Sequence, residues 1–284
     1  MQAVGGGLYS GNWVPERESS SVVLSFVALH STYPTVQRSV TVSTAAAAGA
    51  VSLPALLPDG VVEAAGFTPQ RPLAPGGIIS IFGLRFAASE NSASRKPLER
   101  ELGGVSVRFG NETAPLYFAG PTQINAQVPF SVRSGDNVSI VVSVGGKLTA
   151  PQNYLIAPAQ PGIFKAGDFA AVVDVRGSLL SASNPARIGD TLQIFTTGLG
   201  ATDPPVETGA AAPNFTTVLN PVTVTIGNVE VPVVYQGLAP TFVGLYQVNV
   251  VLTTSVTPGS SVPVVIQQNG IVTNPNLPVN IPIR

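Results

Sequence analysis

"TQINAQVP" at residues 122–129 and "YQVNVVL" at 246–252 are two versions of one short pattern. Gln123, Asn125 and Gln127 alternate with Ile124, Ala126 and Val128, and Gln247 and Asn249 alternate with Val248 and Val250 before Leu252. A two-residue period is that of a strand whose successive side chains leave on opposite faces. Ile124, Ala126 and Val128, with Val248, Val250 and Leu252, are therefore expected in a core. Gln123 and Asn125, with Gln247 and Asn249, are expected to face outward or to bond a neighbouring loop. Amides in such a place satisfy nearby backbone far more often than they read a ligand.

The flanks of the two stretches align as well. "APGGIISIFG" (74–83) answers "RIGDTLQIFTTG" (187–198), and "VSVRFGNETAPLYFAGPT" (105–122) answers "VTVTIGNVEVPVVYQGLAPT" (222–241). "GDNVSIVVSVGGKLTAP" (135–151) answers "GSSVPVVIQQNGIVTNP" (259–275). The offset between the copies grows along the chain, and it grows between strands, where loops accept insertions. "FGNE", "IGNV", "VGGK" and "QNGI" place Gly or Asn between alternating runs, as hairpin turns with positive φ require. Tyr117 with Tyr235 and Phe82 with Phe195 recur in the two copies and are expected to pack in the cores.

Further runs rich in Val, Ile, Thr and Phe predict strands near 21–29, 36–43, 78–82, 105–109, 114–118, 123–129, 138–144, 171–175, 191–196, 222–226, 231–235, 246–252 and 262–267. The 284 residues include 29 Gly and 26 Pro, which leave little room for helices, so the chain is expected to be all-β. Its length suits two or three domains of about 100 residues.

Hydrophobic residues make up 44% of the chain and charged ones only 10%, with a formal net charge of −1. No basic field is present to hold phosphates, so nucleic acid and anionic membrane surfaces are not expected partners. The single histidine and the absence of cysteine exclude thiolate and His-cluster chemistry. The most apolar run, "AAAAGAVSLPALLP" (45–58), is broken by Pro54 and Pro58 and is too short to span a membrane. It reads as a linker, with a short helix at 45–50 as the alternative. The opening "MQAVGGGLYSGNWVPERE" has neither the basic nor the long apolar region of a signal peptide.

The order "PGGIISIFG", "VSVRFGNETAPLYF", "TQINAQVP", "VSIVVSVGGKLTAP" resembles an IPT/TIG domain, an Ig-like fold, over roughly residues 70–157. From "GVVEAAGFTPQRPLAPGGIISIFG" (60–83) onward, the stretch 60–284 is similar to the uncharacterised C-terminal module of large secreted acidobacterial proteins. The resemblance implies tandem Ig-like β-sandwiches and transfers no functional residues. Residues 1–58 resemble the last strands of another bacterial Ig-like domain, with "LYSGNW" and "SSVVLSFVAL" as adjacent strands. Too few strands remain there to bury both faces of a sandwich. The expected organisation is a partial Ig-like domain plus linker at 1–58 and Ig-like repeats at 59–165 and 166–284. "LIAPAQPGIFKAGDFAAVVDVRGSLL" (155–180) is too apolar for a free tether, which predicts a packed junction and a hairpin around Arg176-Gly177.

Candidate chemistry is sparse. His30, in "VALHSTYP", reads as a solvated strand end. Glu99 and Glu101 flank Arg100 beside Arg95 and Lys96, and read as a solvated loop with local ion pairing rather than an acid/base pair. Asp203 and Glu207 are weak calcium candidates. Trp13, Tyr33, Tyr117, Phe118, Tyr235 and Tyr246 are the aromatics from which a sugar-stacking platform would be drawn. Asn111, Asn137 and Asn214 stand in glycosylation sequons.

No catalytic, cofactor-binding or metal residue is assigned, no cofactor is expected, and any ligand-binding residue is unknown. The expectation is a non-enzymatic extracellular or cell-surface structural or adhesive module of a bacterial assembly, self-associating through exposed strands into a filament or multimer. Its partners would be proteins or further copies of itself. The alternative is a carbohydrate-binding accessory module of a secreted hydrolase.

Overall fold

The computed structural model describes residues 2–5, 8–10, 19–28, 36–44, 53–274 and 278–284. Every regular element among them is a strand. The chain divides into two compact units, Met1–Leu53 and Pro54–Arg284.

In the smaller unit β1 (Gln2–Gly5) pairs antiparallel with β2 (Leu8–Ser10), and β3 (Ser19–Ala28) with β4 (Val36–Thr44). The expected adjacency of the Leu8 and Ser19 strands is therefore corrected: β2 takes its partner from the N-terminal side. Val23 and Val40 are 60% and 51% exposed, as expected of a two-stranded ribbon that cannot enclose a core. His30 and the alternative helix at 45–50 lie outside the described residues.

The larger unit holds two sandwiches. In the first, one sheet comprises β5 (Ala55–Glu63), β6 (Ile78–Leu84), β7 (Asn91–Ser92), β10 (Leu116–Ala119) and β11 (Gln123–Gln127), in the order β5-β6-β11-β10-β7. The facing sheet runs β13-β12-β8-β9, from β8 (Val105–Phe109), β9 (Glu112–Ala114), β12 (Asn137–Val144) and β13 (Lys147–Leu148), with β14 (Gln152–Leu155) also on β12. β5 starts inside the stretch read as a linker, and the physical reason is its bulge. Pro58, Asp59 and Gly60 break the strand period between Leu56 and Val61, yet both halves pair with β6.

The second sandwich opens with the short strands β15 (Gly162–Ile163), β16 (Lys165–Ala166), β17 (Phe169–Ala170) and β18 (Val172–Val173), followed by β19 (Thr191–Thr197). β20 (Thr202–Asp203) and β21 (Thr217–Val218) pair with each other. Then come β22 (Thr223–Ile226), β23 (Val229–Val231), β24 (Val233–Leu238), β25 (Tyr246–Val251), β26 (Gly259–Gln268), β27 (Ile271–Val272) and β28 (Val279–Ile283). One sheet runs β15-β19-β25-β24 with β18 on β19, and the other β23-β22-β26-β27 with β28 on β26.

Strand for strand, β6, β11 and β10 correspond to β19, β25 and β24, and β8, β9, β12, β13 and β14 to β22, β23, β26, β27 and β28. The register agrees in detail. Gln123 lies opposite Phe82 and Gln247 opposite Phe195, and each copy has a bulge on the same neighbouring strand, between Leu116 and Phe118 and between Val233 and Tyr235. Thr149 Oγ1 accepts from Val142 N at 3.1 Å, and Thr273 Oγ1 from Ile266 N at 2.9 Å. The hairpin turns Gly145-Gly146 and Asn269-Gly270 both have positive φ at their two central residues, the geometry that matches strand twist.

Each sandwich has its own apolar core, one built around Ile79, Ile81, Ile124 and Ile140, the other around Leu192, Ile194, Val248 and Ile266. The bulge register corrects one pairing read from the sequence. Phe118 sits opposite Asn125 and Tyr235 opposite Asn249, so the counterpart of Tyr235 is Phe118, and Tyr117 corresponds to Val234. Phe82 and Phe195 are half-buried on the amide-bearing side and outside both cores, since they fall on the outward phase of their strands.

Candidate functional site

The amide strands behave alike up to a point. Ile124, Ala126, Val128, Val248, Val250 and Leu252 are all fully buried. On the other face Gln123 Nε2 donates to Asn125 Oδ1 at 2.8 Å, and Gln247 Nε2 to Asn249 Oδ1 at 2.8 Å. These amides satisfy each other, with Ser80 Oγ adding a bond to Asn125 Oδ1 at 3.1 Å.

The third amide departs from the pattern. Gln127 is fully buried, and its counterpart in the second copy is Val251. Its Nε2 donates to Gly76 O at 3.3 Å, while its Oε1 accepts from Gly209 N at 2.8 Å. Gln127 therefore ties the first sandwich to the second.

Around it lies a continuous junction. Thr197 Oγ1 accepts from Ile78 N at 2.7 Å, and Thr208 Oγ1 from Phe130 N at 3.0 Å. Tyr117 donates its phenolic hydrogen to Val243 O. Phe130 packs against the core of the second sandwich. Gly244, at φ 55°, lets backbones meet: a Cβ there would stand 2.8 Å from Gly76 O. At the centre Tyr246 is fully buried and donates to Gly200 O, and burial pushes its phenol well above the usual range.

The segment holding Glu99 and Glu101 is more than a solvated loop, which corrects the sequence reading. The local ion pair is present, with Arg95 Nε 2.7 Å from Glu99 Oε1. The same segment also straps the second sandwich. Leu98 N donates to Gly209 O at 2.9 Å, and Lys96 Nζ donates to Thr241 O at 2.5 Å while lying 5.3 Å from the centroid of Phe242. The apolar Leu98, buried amid charges, is the sequence signal that would have shown this docking.

A second polar cluster closes the other side of the junction. Glu63 is 5% exposed, and its carboxylate accepts from Ala65 N at 2.8 Å and Gly66 N at 2.6 Å. Burial raises its pKa above the ordinary carboxylate value, opposed by those two N–H groups and by Arg71. Arg71 reaches across to Val272 O at 3.2 Å. Asp174 folds the predicted turn by accepting from Arg176 and Ser178 backbone N–H, with Gly177 at φ 77°.

Beside Arg71 a cleft of about 530 Å³ opens between the β5 bulge, the 70–72 loop and β14. In its lining Gln70 Nε2 donates to Asp59 Oδ2 at 2.9 Å, and both residues hold positive φ, 60° and 53°.

The other sequence candidates do not converge. Asp203 and Glu207 are both exposed, and no group of three His, Asp or Glu able to hold a metal occurs among the described residues. Trp13 and Tyr33 lie outside the described residues. Tyr246 and Tyr117 serve the junction. Tyr235 meets an aromatic that the sequence reading missed, Phe215, edge-on at 5.1 Å between centroids, with Phe215 68% exposed. Asn111, Asn137 and Asn214 are exposed. No helix among the described residues is long and apolar enough to cross a membrane.

Comparison with curated proteins finds no match. Among solved structures, the chain is similar to a surface glycan-binding protein of Prevotella bryantii, at 11% identity over 80% of this chain and 42% of that one, with TM-score 0.26. A surface glycan-binding protein from a xyloglucan utilization locus of Bacteroides uniformis gives 13% identity over 81% and 50%, with TM-score 0.26. Domains 5–6 of the S-layer protein SbsC give 12% identity over 81% and 98%, with TM-score 0.25. The chain spans half or less of the two glycan-binding proteins, and likenesses this distant bring no function with them. The IPT/TIG domain family matches residues 66–157, the span of the first sandwich that follows β5 and ends at the residue after Ile156.

Proposed function

We propose that this chain is a non-enzymatic, extracellular structural module of a bacterial surface protein, in which residues 54–157 and 158–284 are two units of one duplicated sandwich joined by a packed seam. On this reading it is kin to the C-terminal module of large secreted acidobacterial proteins. The observation that carries the proposal is the junction: Gln127, Thr197, Tyr117 and Lys96 each bond backbone of the opposite sandwich. A tether between independent binding domains needs no such seam, whereas a spacer under load does. The low charge and the exposed ribbon of the smaller unit suit self-association, in which another copy completes the partial domain.

Three measurements test this. Pulling single molecules from their ends is expected to unfold residues 54–284 in one event at the first rupture, and two independent, well-separated events would overturn the packed seam. Protease treatment of intact source cells is expected to release peptides of this chain, and their protection until lysis would overturn the surface location. Light scattering that shows only monomer across a concentration series would remove self-association.

A second reading, carbohydrate binding, is favoured by one observation, the cleft between the β5 bulge, the 70–72 loop and β14.

A further inference from the structure

We infer that the cleft formed by the β5 bulge, the 70–72 loop and β14 is a binding site for a neutral, polyhydroxylated glycan chain. The inference rests on the carbohydrate reading and gives it a location. A volume of about 530 Å³ falls within the range of roughly 300–1,000 Å³ typical of small-molecule sites.

Its polar groups are held in place but not used up. Tyr154 OH accepts from Val61 N at 3.2 Å and donates to Gln152 Oε1 at 3.1 Å, while Gln152 Nε2 donates to Leu57 O at 3.0 Å. The Gln152 carboxamide is thus fixed in orientation with one hydrogen and one lone pair to spare. Asp59 Oδ2 accepts from Gln70 Nε2, which leaves Asp59 Oδ1, Gln70 Oε1 and the second Gln70 hydrogen for a ligand. Asn153 is exposed and contributes a whole amide. Such an alternation of donors and acceptors matches hydroxyl groups, each of which both gives and takes a hydrogen bond.

Charge narrows the class. Arg71, whose guanidinium donates to Val272 O, and the Asp59 carboxylate both line the cleft, so its charged groups are one cation and one anion. With the two charges offsetting each other, the cleft has no net charge to draw in an ion, which favours a neutral sugar over an acidic one. Pro58, Pro72 and the 45%-exposed Leu155 supply rigid apolar wall for the C–H faces of sugar rings. Finally, two neighbouring non-glycine residues at positive φ, joined by a hydrogen bond, mark stored backbone strain, which concentrates at functional sites.

The test is affinity electrophoresis and calorimetric titration of the whole chain with soluble xylan, galactomannan and mixed-linkage β-glucan, with polygalacturonate as the anionic arm. Asp59→Gly and Gln70→Gly suit the positive φ of their sites, and Asn153→Ala changes an exposed side chain, so all three are expected to keep the wild-type melting temperature. At least one neutral polysaccharide is expected to bind, and to bind about tenfold or more weakly when two of these side chains are removed together. Phe215→Ser is expected to leave binding unchanged. If nothing in the panel binds, the carbohydrate reading falls and this site with it. If a neutral polysaccharide binds the cleft variants normally but is lost in Phe215→Ser, carbohydrate binding stands and the cleft is the wrong place. Binding of polygalacturonate alone overturns the neutral class.

Discussion

The two sandwiches differ least where they pack their own cores and most where they meet. Strand order, register, the bulge beside the amide strand and the threonine that caps Val142 or Ile266 are the same in both. Where copies must diverge to bind each other, they do. Gln127 stands for Val251, Tyr117 for Val234, and Tyr246 for the exposed Thr122. Two sandwiches of one topology can keep similar cores because cores are solved locally, but a head-to-tail contact uses a different face of each and so demands different residues.

The sharpest way to break this comparison is at the most unequal pair. Tyr246→Ala is expected to cost about 3–5 kcal/mol by emptying a fully buried site, whereas Thr122→Ala, on the surface, is expected to stay within about 0.5 kcal/mol. Urea denaturation measures both, and equal losses would mean that the junction has no special weight in the second copy. Next comes Gln127→Val, which gives the first copy the residue of the second. It leaves Gly209 N–H without its acceptor in a buried place and is expected to cost about 1–3 kcal/mol, and to split the single unfolding transition into two. The reverse change, Val251→Gln, has no such partner to find and is expected to bring no gain.

Acid separates the copies by sign. In the first, burial raises the Glu63 pKa above its unfolded value, so its contribution is fully present below the unfolded pKa and is lost as pH rises through the folded one. In the second, the hydrogen bond from Arg176, aided by Ser178 N–H, lowers the pKa of Asp174, so its contribution is present above the unfolded pKa and lost as pH falls through the lowered folded one. Urea midpoints followed from pH 7 downward are expected to lose an acid-favoured component in Glu63→Gln and an acid-sensitive component in Asp174→Asn. Identical pH profiles for both variants would show that the two carboxylates sit in equivalent surroundings. The smallest effect concerns what the copies share. Asn125→Ala and Asn249→Ala each remove one amide bond and are expected to cost about 0.5–1.5 kcal/mol by the same denaturation assay, Asn125 slightly more because Ser80 also bonds it.

Much of the fold was legible. The alternation of Ile124, Ala126 and Val128 with amides, the Gly-Asn, Gly-Gly and Asn-Gly turns and the internal alignment lead directly to strands, hairpins and two copies. The β5 bulge was not, because Pro58, Asp59 and Gly60 interrupt the two-residue period on which strand recognition depends. The junction left a trace that was read only as loop variation. Between Gly237 and Gln247 the second copy is longer than the first between Gly120 and Gln123, and that added loop carries Thr241, Val243 and Gly244, all of which meet the first sandwich. The cleft left no trace, since its residues come from three separated stretches of ordinary polar sequence.

By itself the sequence determined the all-β class and the inward phase of nearly every strand, because both follow from period and turn chemistry along a line. Only the tertiary structure decided that Gln127 belongs to a seam rather than to a solvent face, and that Asp59, Gln70 and Asn153 share one cleft. Those outcomes depend on bulge register and on which faces of two folded bodies come together, and neither is encoded in the local pattern of residues.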